Sequence, residues 1–342
     1  GGNIAAHSAG ILDIKTTILP DADALFVTAI DNQGHELWRW TFTVDKLNQS
    51  KEELSPLSSK ATYTETDNDL TVKANNRTFV FSKKDGQLKG VSVNNRKISF
   101  ANGPRFIGAR RADRSLDQFY NHDDEKAKEK DRTYSEFPDA AVFTKLDVKE
   151  DGGNLIVTAD YKLGNLDKVQ WTINPNGEAV LDYTYNFSGV VDLMGICFDY
   201  PEDQVISKRW LGAGPYRVWQ NRIHGTQYDV WENDYNDPIP GETFTYPEFK
   251  GYFGSVSWMN IRTKEGTISL TNETPDAYIG VYQPRDGRDR LLYTLPESGI
   301  SVLNVIPPVR NKVNSTDLCG PSSQPKWVNG PQSGRIIFRF ME

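Results

Sequence analysis

The sequence predicts an all-β protein. Its apolar residues recur with a period of two in short segments, and these segments are separated by turn pairs such as Asn-Asn and Asp-Gly. No window of about 12 residues shows a helical period. The clearest strand is EAVLDYTYNFS, in which Leu181, Tyr183, Tyr185 and Phe187 share one face and polar residues share the other. This alternation is typical of an antiparallel sheet with one buried face and one face toward water or a cleft.

The strand pattern of residues 1–48 predicts the end of a separate β domain. Three candidate strands are GILDIKTTIL, ALFVTAID and ELWRWTFTV, and the last two are joined by a turn at residues 31–34. The period of two places Trp38 and Trp40 on one face. Because so small a sheet is poorly stable alone, we expect the tail of an immunoglobulin-like domain, or an element docked on the next domain of the chain.

Residues 49–68 have a polar composition rich in Ser, Thr, Lys and Glu and show no period, which predicts a linker. From residue 69 to residue 342 strands dominate again, and we expect one large β domain there. A charged segment at residues 113–140 interrupts the strand pattern. Connections of this length inside a compact domain are typically functional or mobile.

An aromatic stretch at residues 209–258 is the centre of the predicted large domain. Its tryptophans are Trp210, Trp219, Trp231 and Trp258, half of the eight in the chain. Amide, guanidinium and imidazole side chains lie between the rings, a combination that suits a pyranose with apolar faces and polar edges. The competing interpretation is that the rings are core residues, since large aromatic side chains dominate burial. Gly212-x-Gly214 lacks the third glycine of a dinucleotide fingerprint and predicts a tight turn.

The composition excludes several kinds of partner. A net charge of −7 argues against nucleic acid, and no run approaches the ~18 apolar residues of a membrane span. Cys197 and Cys319 are too few for a disulfide framework, and Cys197 lies in the apolar run LMGICF, where we expect a buried, inert thiol. Four scattered histidines without Cys/His clustering predict no metal site, and no motif indicates a cofactor.

Two segments of the aromatic stretch resemble a known family. RWLGAGPYRVWQNRIHG resembles the Trp-Leu-Gly-x-Gly-Pro-x-Glu-x-Tyr-x-Asp-Arg-x-x-Gly segment in the C-terminal small-chain domain of family 2 β-galactosidases, and PEFKGYFGSVSW resembles that family's Pro-Gln-Glu-x-Gly-x-Arg-x-x-x-x-Trp. The matching positions are Trp210, Leu211, Gly212, Gly214, Pro215, Arg222, Gly225, Pro247, Gly251, Val256 and Trp258. NNRTFVFSKKDGQLKGVSVNNRKI resembles the family's opening hairpins, and ELWRWTFTV resembles the last strand of the preceding immunoglobulin-like domain.

The resemblance spans essentially the whole chain and implies a large antiparallel β-supersandwich, similar to galactose mutarotase, preceded by part of an immunoglobulin-like β-sandwich. In that family two catalytic glutamates belong to a (β/α)₈ barrel, and no barrel sequence is present here. We therefore expect no catalytic residues and no hydrolysis by this chain alone. Its partners would be a carbohydrate, either a galactoside or another glycan, and the missing barrel. A homo-oligomer is compatible with this, and such glycosidases favour a periplasmic or secreted location over a cytoplasmic one.

The resemblance also selects candidate carbohydrate-facing residues: Trp219, Asn221, Arg222, Trp258 and Trp327. LCGPSSQPKWVNG stands where the family has Gly-Gly-Asp-Asp-Ser-Trp, which makes Trp327, in a polar segment expected to be a loop, the stand-in for a sugar-facing tryptophan. Other family positions differ, since Arg217 replaces a Glu, Trp219 a Tyr, Asn221 an Asp and Phe253 an Arg. These differences leave the choice between a galactoside and another glycan open.

Two alternatives remain open at the level of sequence. The chain could be a stand-alone mutarotase-like or lyase-like enzyme that uses His122 or His224 with an acidic partner as acid and base. It could also be a purely structural or oligomerisation module without a ligand. A sugar-epimerising assay on the chain separates the first alternative from a binding domain, and sugar-induced stabilisation separates the second.

Overall fold

The computed structural model describes residues 7–11, 13, 15, 22, 24–43, 60–111, 134–234, 251–281, 296, 298–308 and 320–342. The chain divides into two compact units, Gly1–Pro56 and Leu57–Glu342. The described residues form strands and connections, with two short 3-10 turns and no α-helix. Consequently none of them belongs to a helix long and apolar enough to cross a membrane. The predicted all-β class is confirmed.

The first unit contains one antiparallel hairpin, formed by β1 (Ala24–Ile30) and β2 (Glu36–Thr43). Its register places Trp38 opposite Ala29 and Trp40 on the same face, as the period of two predicts. The turn between the strands lies where the sequence predicts it. Most of the first predicted strand, GILDIKTTIL, lies outside the described residues, and the described residues of this segment are not in a strand.

The second unit contains two large sheets. Its strands are β3 (Thr62–Glu65), β4 (Asp69–Ala74), β5 (Arg77–Ser82), β6 (Leu88–Val93), β7 (Arg96–Ile98), β8 (Ala101–Arg111), β9 (Tyr134–Glu136), β10 (Val142–Asp151), β11 (Asn154–Lys162), β12 (Leu166–Ile173), β13 (Ala179–Val191), β14 (Leu193–Asp199), β15 (Val205–Gly214), β16 (Gln227–Asp234), β17 (Trp258–Thr263), β18 (Gly266–Asn272), β19 (Tyr278–Gly280), β20 (Ile300–Val305) and β21 (Lys326–Met341). The 3-10 turns are Glu202–Gln204 and Pro321–Ser323.

One sheet has nine strands in the order β10-β11-β12-β13-β21-β18-β17-β15-β16. The other has ten, in the order β19-β20-β14-β8-β6-β5-β4-β3, with β7 paired to β6 and β9 paired to β8. Every pair of these strands is antiparallel. This arrangement agrees with the predicted large antiparallel β-supersandwich.

The two sheets pack face to face through aromatic side chains. Phe338 of the nine-stranded sheet meets Phe198 of the ten-stranded sheet edge to face, with ring centroids 5.6 Å apart. Trp171 contacts the same Phe198 ring at 6.1 Å, and Phe79 meets Phe340 at 6.0 Å. All five rings are buried. Because rings of this size bury the largest apolar areas, they account for much of the stability of the sandwich.

Strand β14 is buried on both faces. Met194, Ile196 and Phe198 point into the core between the sheets, whereas Leu193 and Cys197 belong to a second apolar cluster. Connections that follow other strands cover this second cluster. Cys197 is a free, buried thiol, and burial raises its pKa to about 11. Its side chain therefore has the environment of an unreactive cysteine, as the apolar run LMGICF predicts.

Three parts of the chain differ from the sequence-based predictions. The predicted linker at residues 49–68 contains β3, because Thr-Tyr-Thr-Glu is a favourable edge-strand sequence that pairs with β4. Trp327 lies in β21 rather than in a loop, because this strand pairs with β13 as far as Lys326. The charged segment at residues 113–140 lies largely outside the described residues, and residues 134–136 of it form β9.

Gly212 and Gly214 do not form the predicted tight turn but end strand β15. A Cβ atom on Gly214 would lie 2.4 Å from the ring of Trp231, which packs against the backbone at this point. A Cβ atom on Gly212 would lie 3.0 Å from the Gly254 carbonyl oxygen. The two glycines therefore permit a close approach of backbone and ring. A cis peptide bond joins Gly214 to Pro215.

Candidate functional site

A short turn after β15 carries three of the predicted site residues. The backbone of Val218 pairs with Tyr252 through hydrogen bonds of 2.7 and 2.9 Å. Next, the Arg222 N–H donates to the Trp219 carbonyl oxygen at 2.8 Å and closes a four-residue turn at residues 219–222. Gln220 and Asn221 therefore occupy the tip of this turn.

Trp219 lies beneath the turn and has no exposed surface. Its ring meets Tyr252 edge to face at 5.7 Å and belongs to the second apolar cluster, together with Leu303 and Ile306. This burial is inconsistent with the expectation that Trp219 stacks directly on a sugar. The indole instead packs over the far side of the ten-stranded sheet and holds the turn in place, because so large a ring is stabilised chiefly by burial.

The tip of the turn contacts the segment that leads into β21. Gln220 Nε2 donates to the carbonyl oxygens of Ser322 at 2.9 Å and Gln324 at 2.7 Å. Asn221 Nδ2 lies 3.4 Å from Ser323 Oγ. Asn221 is half-buried and Arg222 is exposed. The turn thus places the Asn221 carboxamide beside Ser323, and the exposed Arg222 follows it in the chain.

Trp327 is exposed, with 71% of its surface accessible. It lies opposite Val190 near the start of β21. Since a fully extended chain spans at most about 3.6 Å per residue, its Cα lies within roughly 11 Å of the Cα of Gln324. The structure therefore brings Asn221, Arg222 and Trp327 to one end of the sandwich.

Trp258 lies elsewhere on the same sheet. It pairs with Thr271, and Thr271 pairs with Ile337, which lies roughly 33 Å along β21 from Trp327 at about 3.3 Å per residue. Its ring is half-buried beneath the guanidinium of Arg209, at 5.2 Å. One monosaccharide cannot contact both rings. The resemblance selects both Trp258 and Trp327, because sequence motifs carry no information on the distance between the two residues in the folded domain.

A line of short polar side chains leads along β13 and β21 to Trp327. Thr184 and Ser333 share a hydrogen bond of 2.9 Å between their hydroxyl groups. Farther toward Trp327, Ser188 Oγ donates to Asn329 Oδ1 at 2.9 Å. The register places these side chains on the same face as the indole. This face is the polar side that the alternation in EAVLDYTYNFS predicts.

Two of the positions that differ from the family's motifs contact one another. Arg217 is 5% exposed, and its guanidinium lies 5.7 Å from the centre of the Phe253 ring. The family motifs have Glu at the first position and Arg at the second. The two replacements form a cation–π contact with each other. The differences from the motif are therefore structurally coupled.

The described residues give the enzyme alternative no acid–base pair. His224 is exposed and makes no hydrogen bond within the described ranges, and His122 lies outside them. Among the residues that the structure describes, no group of three or more His, Cys, Asp or Glu side chains is arranged to hold a metal ion. The groups carried by the turn and by the start of β21 are an amide, a guanidinium and an indole. These groups can bind hydroxyls and an apolar ring face.

Nothing in the sequence singles out Gln220 as a site residue. Its two partners, Ser322 and Gln324, lie more than a hundred residues away in the sequence. No motif or spacing in a single sequence indicates a contact over that distance. The neighbouring residues Asn221 and Arg222 were found because they occupy positions of a family motif.

The fold defines a class, the large antiparallel β-supersandwich domains, and the surface at one end carries groups suited to hydroxylated ligands. A family model described as the β-galactosidase small chain matches residues 73–306, more than half of the chain. The chain belongs to this family. The resemblance to the C-terminal region of β-galactosidases is thereby confirmed.

The solved structures similar to this chain include two epimerase-related proteins. A galactose 1-epimerase from Lactobacillus acidophilus NCFM is 10% identical, with a TM-score of 0.46 and coverage of 83% of this chain and 99% of that chain. An aldose epimerase homologue from C. elegans is 8% identical, with a TM-score of 0.39 and coverage of 82% of this chain and 99% of that chain. The search of curated proteins gives no significant match.

Proposed function

We propose that the chain is the non-catalytic carbohydrate-binding and scaffold region of a β-galactosidase-like glycosidase, and that it forms one wall of the active-site cleft. The observation that carries this proposal is the 71% exposed indole of Trp327, at the same end of the sandwich as Asn221 and Arg222. An exposed ring stacks on the apolar face of a pyranose, while the amide and guanidinium donate hydrogen bonds to its hydroxyls. Membership of the β-galactosidase small-chain family supports a sugar as the ligand.

The chemistry of the surface fits binding rather than hydrolysis. Hydrolysis of a glycoside usually requires a pair of carboxyl groups, one acting as acid and the other as base or nucleophile. Asn221, Arg222 and Trp327 supply neither group, and Asn221 replaces an Asp of the family motif. In this proposal the catalytic glutamates come from a barrel that is the partner of this domain. The ligand is a galactoside or another glycan, since the differences from the motif bear on which sugar is preferred.

The test is thermal unfolding of the chain with a panel of mono- and oligosaccharides. A sugar that binds only the folded state raises the unfolding midpoint by mass action. We expect at least one galactoside or other glycan to raise the midpoint of the wild-type chain but not that of Trp327→Ala. Trp38→Ala is the matched control, because it removes another exposed indole, from the hairpin of the first unit, and should leave the shift unchanged.

The outcome that contradicts sugar binding is specific. If no sugar shifts the midpoint, the same panel is applied to this chain in the presence of the catalytic barrel of such a glycosidase. The proposal fails if Trp327→Ala then leaves KM and kcat for glycosides unchanged. If Trp327→Ala lowers the affinity for glycosides only when the barrel is present, the result supports a subsite for which the barrel supplies the other wall.

We also propose that residues 1–48 are the tail of an immunoglobulin-like domain and that the connection to the large domain begins at residue 49. The support is the hairpin β1–β2, in which Leu25 and Val27 share one face with Trp38 and Trp40. Both indoles are about half exposed, whereas an inner face of a β-sandwich is covered by a second sheet. In a longer chain that includes the rest of such a domain, iodide should quench the fluorescence of these tryptophans less than it does in the present chain. Equal quenching in the two chains would contradict the assignment.

A further inference from the structure

Gln220 joins three parts of the second unit that are distant in sequence. Its backbone N–H donates to the Pro307 carbonyl oxygen at 3.1 Å, just after β20. Its side-chain Nε2 donates to Ser322 and Gln324, the carbonyls on either side of Ser323. The residue is 7% exposed. It is therefore too deeply buried to contact a ligand, but it directly contacts both the turn and the segment before β21.

The two carbonyls held by Gln220 lie just before the strand that carries Trp327. The pairing between β13 and β21 ends at Lys326, opposite Val191. Beyond that point, hydrogen bonds from Gln220 and Asn221 fasten residues 322–324 to the turn. Because the Trp327 ring is mostly in solvent, its distance from Arg222 depends on how the two segments are held together.

A glutamine is well suited to this contact. One carboxamide nitrogen carries two N–H groups and can satisfy two carbonyl oxygens at once. Glutamate at the same position would place an acceptor-only carboxylate against two acceptors, while methionine would fill a similar volume without donating. Either change removes both of these hydrogen bonds, and one hydrogen bond typically contributes about 1 kcal/mol.

We infer that Gln220 is a positioning residue for the sugar-facing surface: it sets the Trp327 ring relative to Asn221 and Arg222 without touching the sugar. This inference rests on the proposed function. It goes beyond that proposal by assigning to a buried residue, at an unspecified position of the family motif, the distance between the aromatic and the polar parts of the subsite.

The test is a double-mutant cycle between Gln220 and Trp327, measured as affinity for the sugar that stabilises the chain most. Gln220→Met should weaken binding roughly five- to tenfold, the scale of one hydrogen bond, in a chain that is fully folded at the assay temperature. Trp327→Ala with Gln220→Met should bind no more weakly than Trp327→Ala alone, because Gln220 acts through the ring. Additive losses would overturn the inference, as would wild-type affinity in folded Gln220→Met and Gln220→Glu.

A second measurement separates this inference from the proposed function. The fluorescence of Trp327 is isolated as the difference between the chain and Trp327→Phe, with iodide as the quencher. Replacing Gln220 with Met should change this difference spectrum and its quenching even if no sugar binds. An unchanged difference spectrum overturns the positioning role, whereas a changed spectrum without any sugar binding contradicts only the proposed function.

Discussion

The Tyr185 hydroxyl donates a 2.6 Å hydrogen bond to Asn304 Oδ1 and thereby joins the two sheets across the core. Tyr185 belongs to β13 of the nine-stranded sheet, and Asn304 belongs to β20 of the ten-stranded sheet. Burial raises the pKa of Tyr185 well above its ordinary value, so the phenol stays protonated and acts as the donor. The bond lies in the same unit as the candidate surface.

Replacing this phenol should weaken the sandwich. Tyr185→Phe removes the donor and keeps the ring, so we expect the free energy of unfolding to fall by about 1 kcal/mol. Urea unfolding gives this value. Tyr63→Phe, on the exposed strand β3, is the control and should change the unfolding free energy by less than about 0.5 kcal/mol. Equal effects of the two changes would show that the hydrogen bond does not stabilise the fold.

Gly195 should tolerate no side chain. A Cβ atom at this position would lie 2.1 Å from the Val302 carbonyl oxygen and 2.7 Å from Leu303 Cα, both backbone atoms of the neighbouring strand. Because these atoms cannot move without disturbing the pairing of β14 with β20, we expect Gly195→Ala to destabilise the chain by about 1–3 kcal/mol. Gly90→Ala is the matched strand control, since nothing lies within 4 Å of its added Cβ. A Gly195→Ala variant as stable as Gly90→Ala would contradict the close approach.

The contact between Arg217 and Phe253 predicts coupled substitutions. Arg217→Glu should be strongly destabilising, because it replaces a cation over a ring with an anion in a buried position. Adding Phe253→Arg restores the pair of residue types found in the family motifs and should recover part of the lost stability. Thermal unfolding of the two single variants and the double variant measures the coupling. Additive losses would show that the two positions are not coupled.

Asp199 should contribute stability that disappears in acid. Burial works to raise the pKa of Asp199, but hydrogen bonds from Arg105 at 2.8 Å and Asn102 at 2.7 Å outweigh it and hold that pKa below its ordinary value. A depressed carboxyl pKa favours the folded state above the unfolded pKa of about 3.9, and this contribution is lost as pH falls through the folded pKa.

The corresponding measurement compares Asp199→Asn with the wild-type chain across pH. At neutral pH we expect the variant to be less stable by about 1 kcal/mol or less, because the carboxylate is partly exposed. Below about pH 4 the difference should shrink as the wild-type carboxylate becomes protonated. A difference that stays constant from neutral pH to about pH 2 would contradict the depressed pKa.

Local alternation predicted much of the fold. Segments such as EAVLDYTYNFS and NLIVTADYK were identified as strands because their apolar residues follow a period of two, and they form β13 and β11. Strand β8 was not identified, since Gly103, Pro104 and Gly108 disrupt its pattern. Pairing with β14 and β6 holds β8 in the sheet. A local sequence pattern carries no information on this pairing.

The candidate site could be predicted only in part. Arg222 occupies a motif position, and Trp327 lies in the segment that stands where the family has Gly-Gly-Asp-Asp-Ser-Trp. The structure puts both at one end of the sandwich. The burial of Trp219 and the distance of Trp258 depend on packing and register that the motifs do not encode. Gln220 acts through contacts with residues remote in the sequence, and nothing in its own segment distinguishes it from the other glutamines of the chain.

The measurement that tests the sugar-facing role most directly is a titration of the chain with the best-binding glycan, followed by tryptophan fluorescence. The signal of Trp327 is taken as the difference between the wild-type chain and Trp327→Phe, and that of Trp258 is obtained in the same way. A sugar stacked on the exposed ring should change the Trp327 signal with saturation, and leave the Trp258 signal unchanged because that ring lies roughly 33 Å away along β21. A saturable change at Trp258 with none at Trp327 would contradict the proposed site.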